Sequence, residues 1–467
     1  MTNPENPINK NIICDQINKF KAIERRGLVR RSVIRRDEER NKPKAKNILL
    51  LGTHGQENWG DEILLETFLQ SLGVKNKFFV NSYNPDQTKL RFGRNIQDID
   101  QEKSGDIDLG KVKSESNNSA DQAFDIDVFH TTKDILKLPF RIWKSDIVFF
   151  AGGSILKELY ASYGRWAYST LFMILGIVSF TKIIAQKHIV VSNIGVGPVK
   201  TKLGRFLVKL ILSQADIISL RDEASKQIVL DSGISEEKVI VVPDIVFVRT
   251  PESFGVEGLT SQEEKGIEEA KLNSNKPKLR VGLNLNKDIA KPEMWPSLLE
   301  NVEESLYTMM EQNGAKFNIE IIGIPMQIGF SSHHDLLVLQ QFSQKNPNLR
   351  IKVETATTSS ELAKTINSCN FIIAERLHAI IIATVLNVPS LPLIYDPKVA
   401  SLAKYLALEK FAVDVNKPFE PVELSGKINL LIEQLEQTKT QLSSKYSELN
   451  KIDKEYFTSL KSRLNLI

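Results

Sequence analysis

The clearest architectural signal in the chain is AERLHAIIIATVLNVPSLPLIYDPK, from Ala374 to Lys398. This stretch contains the end of an apolar strand, a tight polar turn, an apolar helix, a second strand and a second polar turn. The order predicts a βαβ unit with parallel strands, whose two turns lie at the same edge of the sheet. We therefore expect Arg376, His378 and Lys398 to lie close together in space.

The same pattern extends over most of the chain outside this unit. Short β-branched runs end in Gly, Asp or Asn and are followed by helical patterns, which is typical of βα units. Two series of strands are predicted: 47–53, 77–83, 146–153, 188–196, 216–222 and 238–244, then 279–285, 317–324, 350–355, 371–377 and 390–396. Two α/β halves that face each other would form a cleft between their strand ends, where open α/β sheets bind ligands.

Composition divides the chain into segments. We assign 1–46 as a basic N-terminal extension, 47–250 as a Rossmann-like domain, 251–278 as a linker, 279–420 as a second Rossmann-like domain and 421–467 as a helical segment. Acidic and polar residues near 96–127 predict a mobile insertion in the first domain. In the helical segment, apolar residues at helical spacing fit two interpretations: a short coiled coil that forms a homo-oligomer, or helices that pack back across the α/β core.

Charge and the metal-binding residue types exclude several classes of protein. The formal net charge is only +4, which does not favour nucleic acid as a partner. Cys14 and Cys369 form no CxxC pair, so neither a disulfide framework nor a cysteine zinc site is predicted. His333 and His334 are adjacent and lack the HExxH spacing, and no metal is expected. The first residues do not form a signal peptide, so we expect a cytoplasmic protein.

Two segments bear on contact with a membrane. The longest apolar stretch, 167–180, is too short to span a bilayer and is more typical of a buried helix. In the N-terminal extension, arginine pairs at 25–26, 30–31 and 35–36 are interleaved with apolar residues. This pattern fits either a helix that is solvated or docked on a domain, or peripheral contact with anionic lipid on the inner face of the cell membrane.

Arg376 and His378 belong to a turn that opens a helix at a strand end. Free backbone N–H groups and the helix dipole favour an anion at this position. An arginine adds a bidentate fork for phosphate or carboxylate, and a histidine can hold or deliver a proton near neutral pH. With Lys398 they predict a site for an anionic, phosphorylated substrate. A structural arginine and a hydrogen-bonded histidine are the alternative interpretation.

The turn NWGDE, residues 58–62, follows the first strand and opens a helix. Gly60 permits close approach of a ligand, while Asn58 and Asp61 can cap the helix or bind hydroxyl groups. The turn does not have the GxGxxG fingerprint of dinucleotide-binding proteins. Nicotinamide chemistry is therefore not expected.

Two further strand ends carry candidate binding residues. The run Gly152, Gly153 and Ser154 can present backbone donors to a ligand or can form only a turn. Arg221 follows a later strand of the same half. Its side chain either points to the cleft or pairs with the neighbouring Asp222.

Seven short motifs occur in an order that resembles the polysaccharide pyruvyltransferase family, over about 47–399. They are NWGDE at 58–62, AGGS at 151–154, IGVGP at 194–198, SLRDEAS at 219–225, VVPD at 241–244, RLH at 376–378 and YDPKV at 395–399. Members of this family are similar to two-domain GT-B proteins and use phosphoenolpyruvate as donor. The resemblance implies an α/β fold with two Rossmann-like halves in a GT-B-like arrangement, a cleft between them, and no cofactor.

The resemblance also implies a role for each matching residue. Arg221 and Arg376 bind the anionic donor, Lys398 helps to hold its phosphate or carboxylate, and His378 transfers a proton. The two glycine turns contribute to binding of donor or acceptor. The implied reaction moves the pyruvyl group of phosphoenolpyruvate to a sugar of a cell-surface polysaccharide or its precursor, with or without a lipid carrier.

Two other functions fit the same features. A nucleotide-sugar glycosyltransferase of GT-B type also has two α/β halves and a cationic cleft. A catalytically silent scaffold that binds a glycan or a membrane could keep the fold, but it would have no need for the cations and the histidine together. Donor binding distinguishes the two enzymes, because one binds phosphoenolpyruvate and the other a UDP-sugar or GDP-sugar.

Overall fold

The computed structural model describes residues 44–93, 123–159, 166–256, 276–287, 292–330 and 334–466, and here the strands form two parallel sheets. The first sheet contains β1 (Asn47–Leu51), β2 (Lys77–Ser82), β3 (Asp125–His130), β4 (Ile147–Ala151), β5 (His188–Ile194), β6 (Ile217–Leu220) and β7 (Val239–Val241). The second contains β8 (Lys278–Asn284), β9 (Asn318–Gly323), β10 (Lys352–Val353), β11 (Phe371–Ala374), β12 (Ser390–Ile394) and β13 (Val413–Asp414).

Helices connect these strands and close the chain. In order they are α1 (Trp59–Leu72), α2 (Pro85–Phe92), α3 (Leu138–Lys144), α4 (Ser169–Ser179), α5 (Lys202–Ser213), α6 (Glu223–Asp231), α7 (Trp295–Asn313), α8 (Asp335–Lys345), α9 (Ser359–Asn367), α10 (Leu377–Val385), α11 (Pro397–Tyr405), α12 (Pro421–Glu433) and α13 (Leu435–Leu464). A π-helical turn, Phe180–Ile184, extends α4. Because helices cover both faces, the central strands are apolar without alternation.

Each sheet has one point at which its strand order reverses. The order is β3-β2-β1-β4-β5-β6-β7 in the first sheet and β10-β9-β8-β11-β12-β13 in the second. The reversals lie between β1 and β4 and between β8 and β11, where neighbouring connections leave in opposite directions and open a crevice. The chain therefore has a ligand-binding crevice at the carboxyl edge of each sheet.

The two halves share one apolar core and also join through their backbones. A continuous cluster of buried side chains includes α1 from the first half and β8, β11 and α10 from the second. The amide of Trp59 donates to the carbonyl of Met326 at 2.8 Å, and the amide of Ile328 donates to the carbonyl of Glu57 at 3.1 Å. These bonds fix the turn before α1 against the second half, beside both crevices.

The last helix, α13, crosses back to the first half. The hydroxyl of Tyr456 lies 3.1 Å from Ser192 Oγ and 2.8 Å from Ser219 Oγ. Asn450 donates from Nδ2 to the carbonyl of Phe247 at 2.7 Å. Of the two interpretations of the C-terminal pattern, packing across the α/β core is confirmed.

Sequence and structure differ at the edges of the sheets. The strands β3 and β13 were not predicted, and β3 begins inside the segment 96–127 that was assigned to a mobile insertion. The reason is composition: β3 is an edge strand in which only Phe129 is fully buried, so it lacks an apolar run. Most of the predicted insertion, N-terminal extension and linker lie outside the described residues.

Within the part of the chain that the structure describes, no helix combines the length and apolar character needed to cross a lipid bilayer.

Candidate functional site

His378 extends from the second half into contact with the first. It is the second residue of α10, and its Nε2 lies 3.5 Å from Oδ2 of Asp244, which follows β7. Both atoms are buried, and neither has a hydrogen-bond partner among the described residues. A Cβ atom at Gly60, in the first turn of α1, would lie 2.2 Å from Nδ1 of the histidine. Only glycine at this position leaves room for the ring.

Asp244 supplies negative charge at the centre of the site. It is 5% exposed, and burial acts to raise the pKa of its carboxyl group, but His378, Arg221 and the amide of Val246 together hold this pKa below its ordinary value. The group is thus ionised at neutral pH. Its position beside Nε2 lets it stabilise a protonated imidazole ring electrostatically.

Arg221 approaches the same carboxylate oxygen as His378. Its Nη2 donates to Ser154 Oγ at 2.9 Å, and its Nη1 is 3.6 Å from Oδ2 of Asp244. Its Nε is 3.5 Å from Asp222, so both carboxylates lie beyond ordinary hydrogen-bond distance. A Cβ atom at Gly195 would lie 2.8 Å from Nη2, and this glycine therefore makes room for the guanidinium group. Ser154 therefore fixes the position of the guanidinium group, and neither Asp222 nor Asp244 forms a close ion pair with it.

Arg376 is bound much more tightly by its own half. Its Nη2 donates to Oδ1 of Asp335 at 2.7 Å and to Oε1 of Gln327 at 3.1 Å, and its Nε lies 3.2 Å from both oxygens of the aspartate. Asp335 is fully buried and also accepts from the side chain of Asn284 and the amide of Met326, each at 3.2 Å. The guanidinium group therefore joins the loops after β8, β9 and β11.

Lys398, in the first turn of α11, completes the cationic group. Its Nζ lies 3.7 Å from Asp396, the N-cap of that helix. Burial lowers the pKa of the lysine, the charge of Asp396 opposes this, and the charges of Arg221 and Arg376 lower it further. The three cations therefore lie near one another at the carboxyl edges of the two sheets, interspersed with the carboxylates of Asp244, Asp335 and Asp396.

The two glycine turns line the first half of the cleft. Gly152 and Gly153 have φ values of 62° and 70°, in the left-handed region that favours glycine. A Cβ atom at Gly153 would be 3.8 Å from Oδ1 of Asp61, which accepts from Thr53 Oγ1 at 2.8 Å. Asp61 also acts on Lys398 electrostatically. Asn58 caps α1 by accepting from the amide of Gly60 at 2.9 Å, which is a structural role.

Several functional groups were not found from the sequence. Asp244 ends the motif VVPD, but nothing in the motif showed that it would meet His378. Asp453 of α13 is fully buried beside Asn193 and Asp244, and neither of its carboxyl oxygens has a hydrogen-bond partner in the described ranges. A helical apolar pattern gives no indication of such a residue.

His54, after β1, is a second buried histidine at the same edge. Burial lowers the pKa of His54 to about 4, although the nearby Asp61 acts in the opposite direction. His54 is therefore neutral near pH 7. Across the described ranges, His, Cys, Asp and Glu side chains form no group of three that could hold a metal ion.

Solved structures with the same architecture support the description of the fold. MnaA of S. aureus in complex with UDP is 13% identical with a TM-score of 0.54, and the match covers 91% of this chain and 98% of that chain. Alr3699/HepE of Anabaena in complex with UDP-glucose is 14% identical with a TM-score of 0.53, covering 89% and 100%. At this low identity the likeness concerns the fold: two Rossmann-like halves in a GT-B-like arrangement with a cleft between them.

Comparison of the sequence with protein families agrees with the motifs. No curated protein matches the chain. A family model described as polysaccharide pyruvyl transferase matches residues 58–397, which include both glycine turns, both arginines and His378. This match spans more than two thirds of the 467 residues. The chain is a transferase that belongs to the polysaccharide pyruvyl transferase family.

Proposed function

We propose that this transferase moves the pyruvyl group of phosphoenolpyruvate onto a sugar of a cell-surface glycan or its precursor, and releases phosphate. The observation that carries the proposal is the contact between His378 and Asp244, where two buried polar atoms lie 3.5 Å apart without hydrogen-bond partners in the described residues. Native structures rarely leave such atoms unsatisfied, and catalytic hydrogen bonds are often long before substrate binds.

His378 is assigned as the general acid. Its proton goes to the methylene carbon of phosphoenolpyruvate, which becomes a methyl group, and positive charge develops at the adjacent carbon. Asp244 stabilises the protonated ring before this step. A sugar hydroxyl then attacks the adjacent carbon and loses its proton.

Departure of phosphate and a second attack complete the reaction. Arg221 and Lys398 stabilise the leaving phosphate, and an attack by a second hydroxyl of the same sugar closes a cyclic pyruvate ketal. The two sugar hydroxyls release two protons. One replaces the proton that His378 gave to the methyl group, and the other protonates the released phosphate. The route uses phosphoenolpyruvate as a substrate and includes no cofactor.

We also propose an acceptor and a cellular location for the enzyme. Membership of the family implies a glycan acceptor. We assign it to a precursor that is carried on a lipid, which would bring the enzyme to the inner face of the cell membrane as a peripheral protein. Asp61 and the turn at Gly153 are the candidate hydroxyl-binding groups on the acceptor side of the cleft.

A nucleotide-sugar transferase is the second candidate, because solved structures of the same fold hold UDP or UDP-glucose. The test is to incubate the purified protein with phosphoenolpyruvate, UDP-glucose or GDP-mannose and a panel of lipid-linked and nucleotide-linked glycans. Phosphate release coupled to a pyruvyl mass increment on the glycan is expected with phosphoenolpyruvate. Transfer of a hexose would favour the second candidate, and ligand binding without any turnover would favour a silent scaffold.

A further inference from the structure

One outer surface of the first half carries most of the exposed large apolar side chains. Eleven of the fourteen such residues in the described ranges lie between residues 135 and 206: Ile135, Leu136, Phe140, Trp143, Trp166, Phe172, Met173, Ile183, Ile184, Leu203 and Phe206. They belong to α3 and the 3-10 turn before it, to α4 with the residue Trp166 that precedes it and its π-helical turn, and to α5; these helices pack side by side. We refer to these eleven residues as the apolar face.

The apolar face does not arise from poor packing of these helices. Each helix buries a second apolar side against the first sheet, for example Ile142 of α3, Ile174 of α4 and Val208 of α5. The prediction that 167–180 is a buried helix was therefore correct for one side only, since Phe172 and Met173 are 42% and 45% exposed. Exposed apolar surface of this extent marks an interaction site.

The charge near the α4 and α5 part of the apolar face is mainly positive, whereas Asp134 precedes α3 and Asp216 pairs with Lys182. No Asp or Glu occurs from Leu159 to Ala215, whereas at the average of the chain, 57 acids in 467 residues, a stretch of this length would contain about seven. Exposed Lys200, Lys202, Arg205 and Lys209 lie on or just before α5, around its apolar residues. Cores of protein–protein interfaces are depleted in lysine, whereas lysines that flank exposed aromatic residues favour anionic lipid.

The apolar face extends to the edge of the sheet that carries the site. The first turns of α4 and α5 follow the carboxyl ends of β4 and β5, so Trp166, Phe172 and Leu203 lie at that edge. Trp166 stacks on Phe172 with 5.2 Å between ring centroids, which forms a rigid aromatic group. A surface that meets a bilayer here would hold the cleft close to the lipid headgroups.

We propose that the apolar face and its flanking lysines dock on a bilayer that contains anionic phospholipid. Aromatic and aliphatic side chains enter the headgroup region while lysines contact lipid phosphates. This proposal rests on the proposed function in one respect only: the benefit of docking is access to an acceptor that is carried on a lipid. The docking itself requires no donor and no turnover.

The experiment is sedimentation of the full-length protein with vesicles of phosphatidylcholine, with and without about one third phosphatidylglycerol. We expect binding to the anionic vesicles, weakened by salt. Phe140→Ser with Phe206→Ser, and separately Lys202→Glu with Arg205→Glu, should each reduce the bound fraction about tenfold or more. Leu90→Ser with Val422→Ser is the matched control, because these apolar residues are even more exposed than the two phenylalanines but lie elsewhere.

Each alternative outcome overturns the proposal. No binding to anionic vesicles at any salt concentration contradicts it, as does binding that the face variants leave unchanged. Loss of self-association in the face variants, without vesicle binding, would identify an interface between copies of the chain. The affinity of the face variants for phosphoenolpyruvate is measured in parallel and is expected to equal that of wild type. A wild-type protein that does not bind phosphoenolpyruvate would contradict the proposed function without contradicting the docking proposal.

Discussion

The two halves of the cleft each contribute an arginine, and the two arginines are held differently. Arg376 of the second half forms hydrogen bonds of 2.7 to 3.2 Å to the fully buried Asp335. Arg221 of the first half donates to a serine hydroxyl and lies 3.5 and 3.6 Å from its nearest carboxylates. The same residue type, after a strand of each half, therefore has two environments.

In the proposed mechanism this difference makes Arg376 a framework residue and Arg221 a ligand-binding residue. A guanidinium group that is paired with a buried carboxylate mainly holds loops together, and the resemblance alone had assigned both arginines to the donor. In the proposed mechanism, the charges of Arg221 and Lys398 bind the donor phosphate.

The largest expected effect is on stability. Arg376→Ala leaves Asp335 buried without its cation, which typically costs about 3 to 5 kcal/mol of unfolding free energy. Urea denaturation should show this loss, and Arg221→Ala should lose less. The double variant Arg376→Leu with Asp335→Leu is the control and should recover much of the loss. Wild-type stability in Arg376→Ala would contradict the framework role.

Donor affinity should show the opposite ranking. Arg221→Ala is expected to weaken phosphoenolpyruvate binding by about 30-fold to 1000-fold, or about 2 to 4 kcal/mol, because a cation is lost from a partly buried phosphate site. Lys398→Ala should have a smaller effect, since lysine lacks the guanidinium fork. Calorimetry on the folded variants measures their affinities for phosphoenolpyruvate and so ranks the two effects. Unchanged affinity in Arg221→Ala would remove this residue from the donor site.

The contact between the halves can be tested at a glycine. In Gly60→Ala the new Cβ would lie 2.2 Å from Nδ1 of His378, so the ring must move. Turnover should fall about tenfold or more, because even a small displacement of a catalytic group lowers the reaction rate steeply. Gly426→Ala, in α12, is the control, as nothing lies within 4 Å of its Cβ position. Equal turnover in both variants would show that this contact does not matter.

The smallest effect concerns Asp453 of α13, a second buried carboxyl group near Asp244. Burial raises the pKa of Asp453 well above its ordinary value, and the charge of Asp244 acts in the same direction. A raised native pKa means that the group contributes most to stability below its unfolded pKa of about 3.9 and loses that contribution as pH rises.

Asp453→Asn stays neutral at every pH and does not undergo this loss. Relative to wild type it should gain on the order of 1 kcal/mol between pH 4 and pH 7 in denaturation measurements. A difference between the two proteins that is the same at both pH values would mean that the carboxyl group is not perturbed.

The sequence was sufficient for the parts of the molecule that depend on local pattern. All eleven predicted strands are present, because apolar runs with polar ends are local. The rule that parallel strands end at one edge predicted that Arg376, His378 and Lys398 would lie close together, whereas the residues around Arg221 left open a pairing with Asp222. The edge strand β3 was not predicted, because Phe129 is its only buried side chain and it has no apolar run. The pairing of Arg376 with Asp335 could not be predicted, since it depends on the relative position of loops distant in sequence.

The proposed reaction depends on delivery of a proton from His378 to phosphoenolpyruvate, and the variant His378→Gln is the most direct test of this step. Donor affinity and turnover are measured on the same preparation, with saturating donor and acceptor for turnover. Arg221 and Lys398 remain, so affinity should stay within about tenfold, while turnover should fall about 100-fold to 10,000-fold, because glutamine cannot deliver a proton to carbon. Turnover close to that of wild type would contradict the claim.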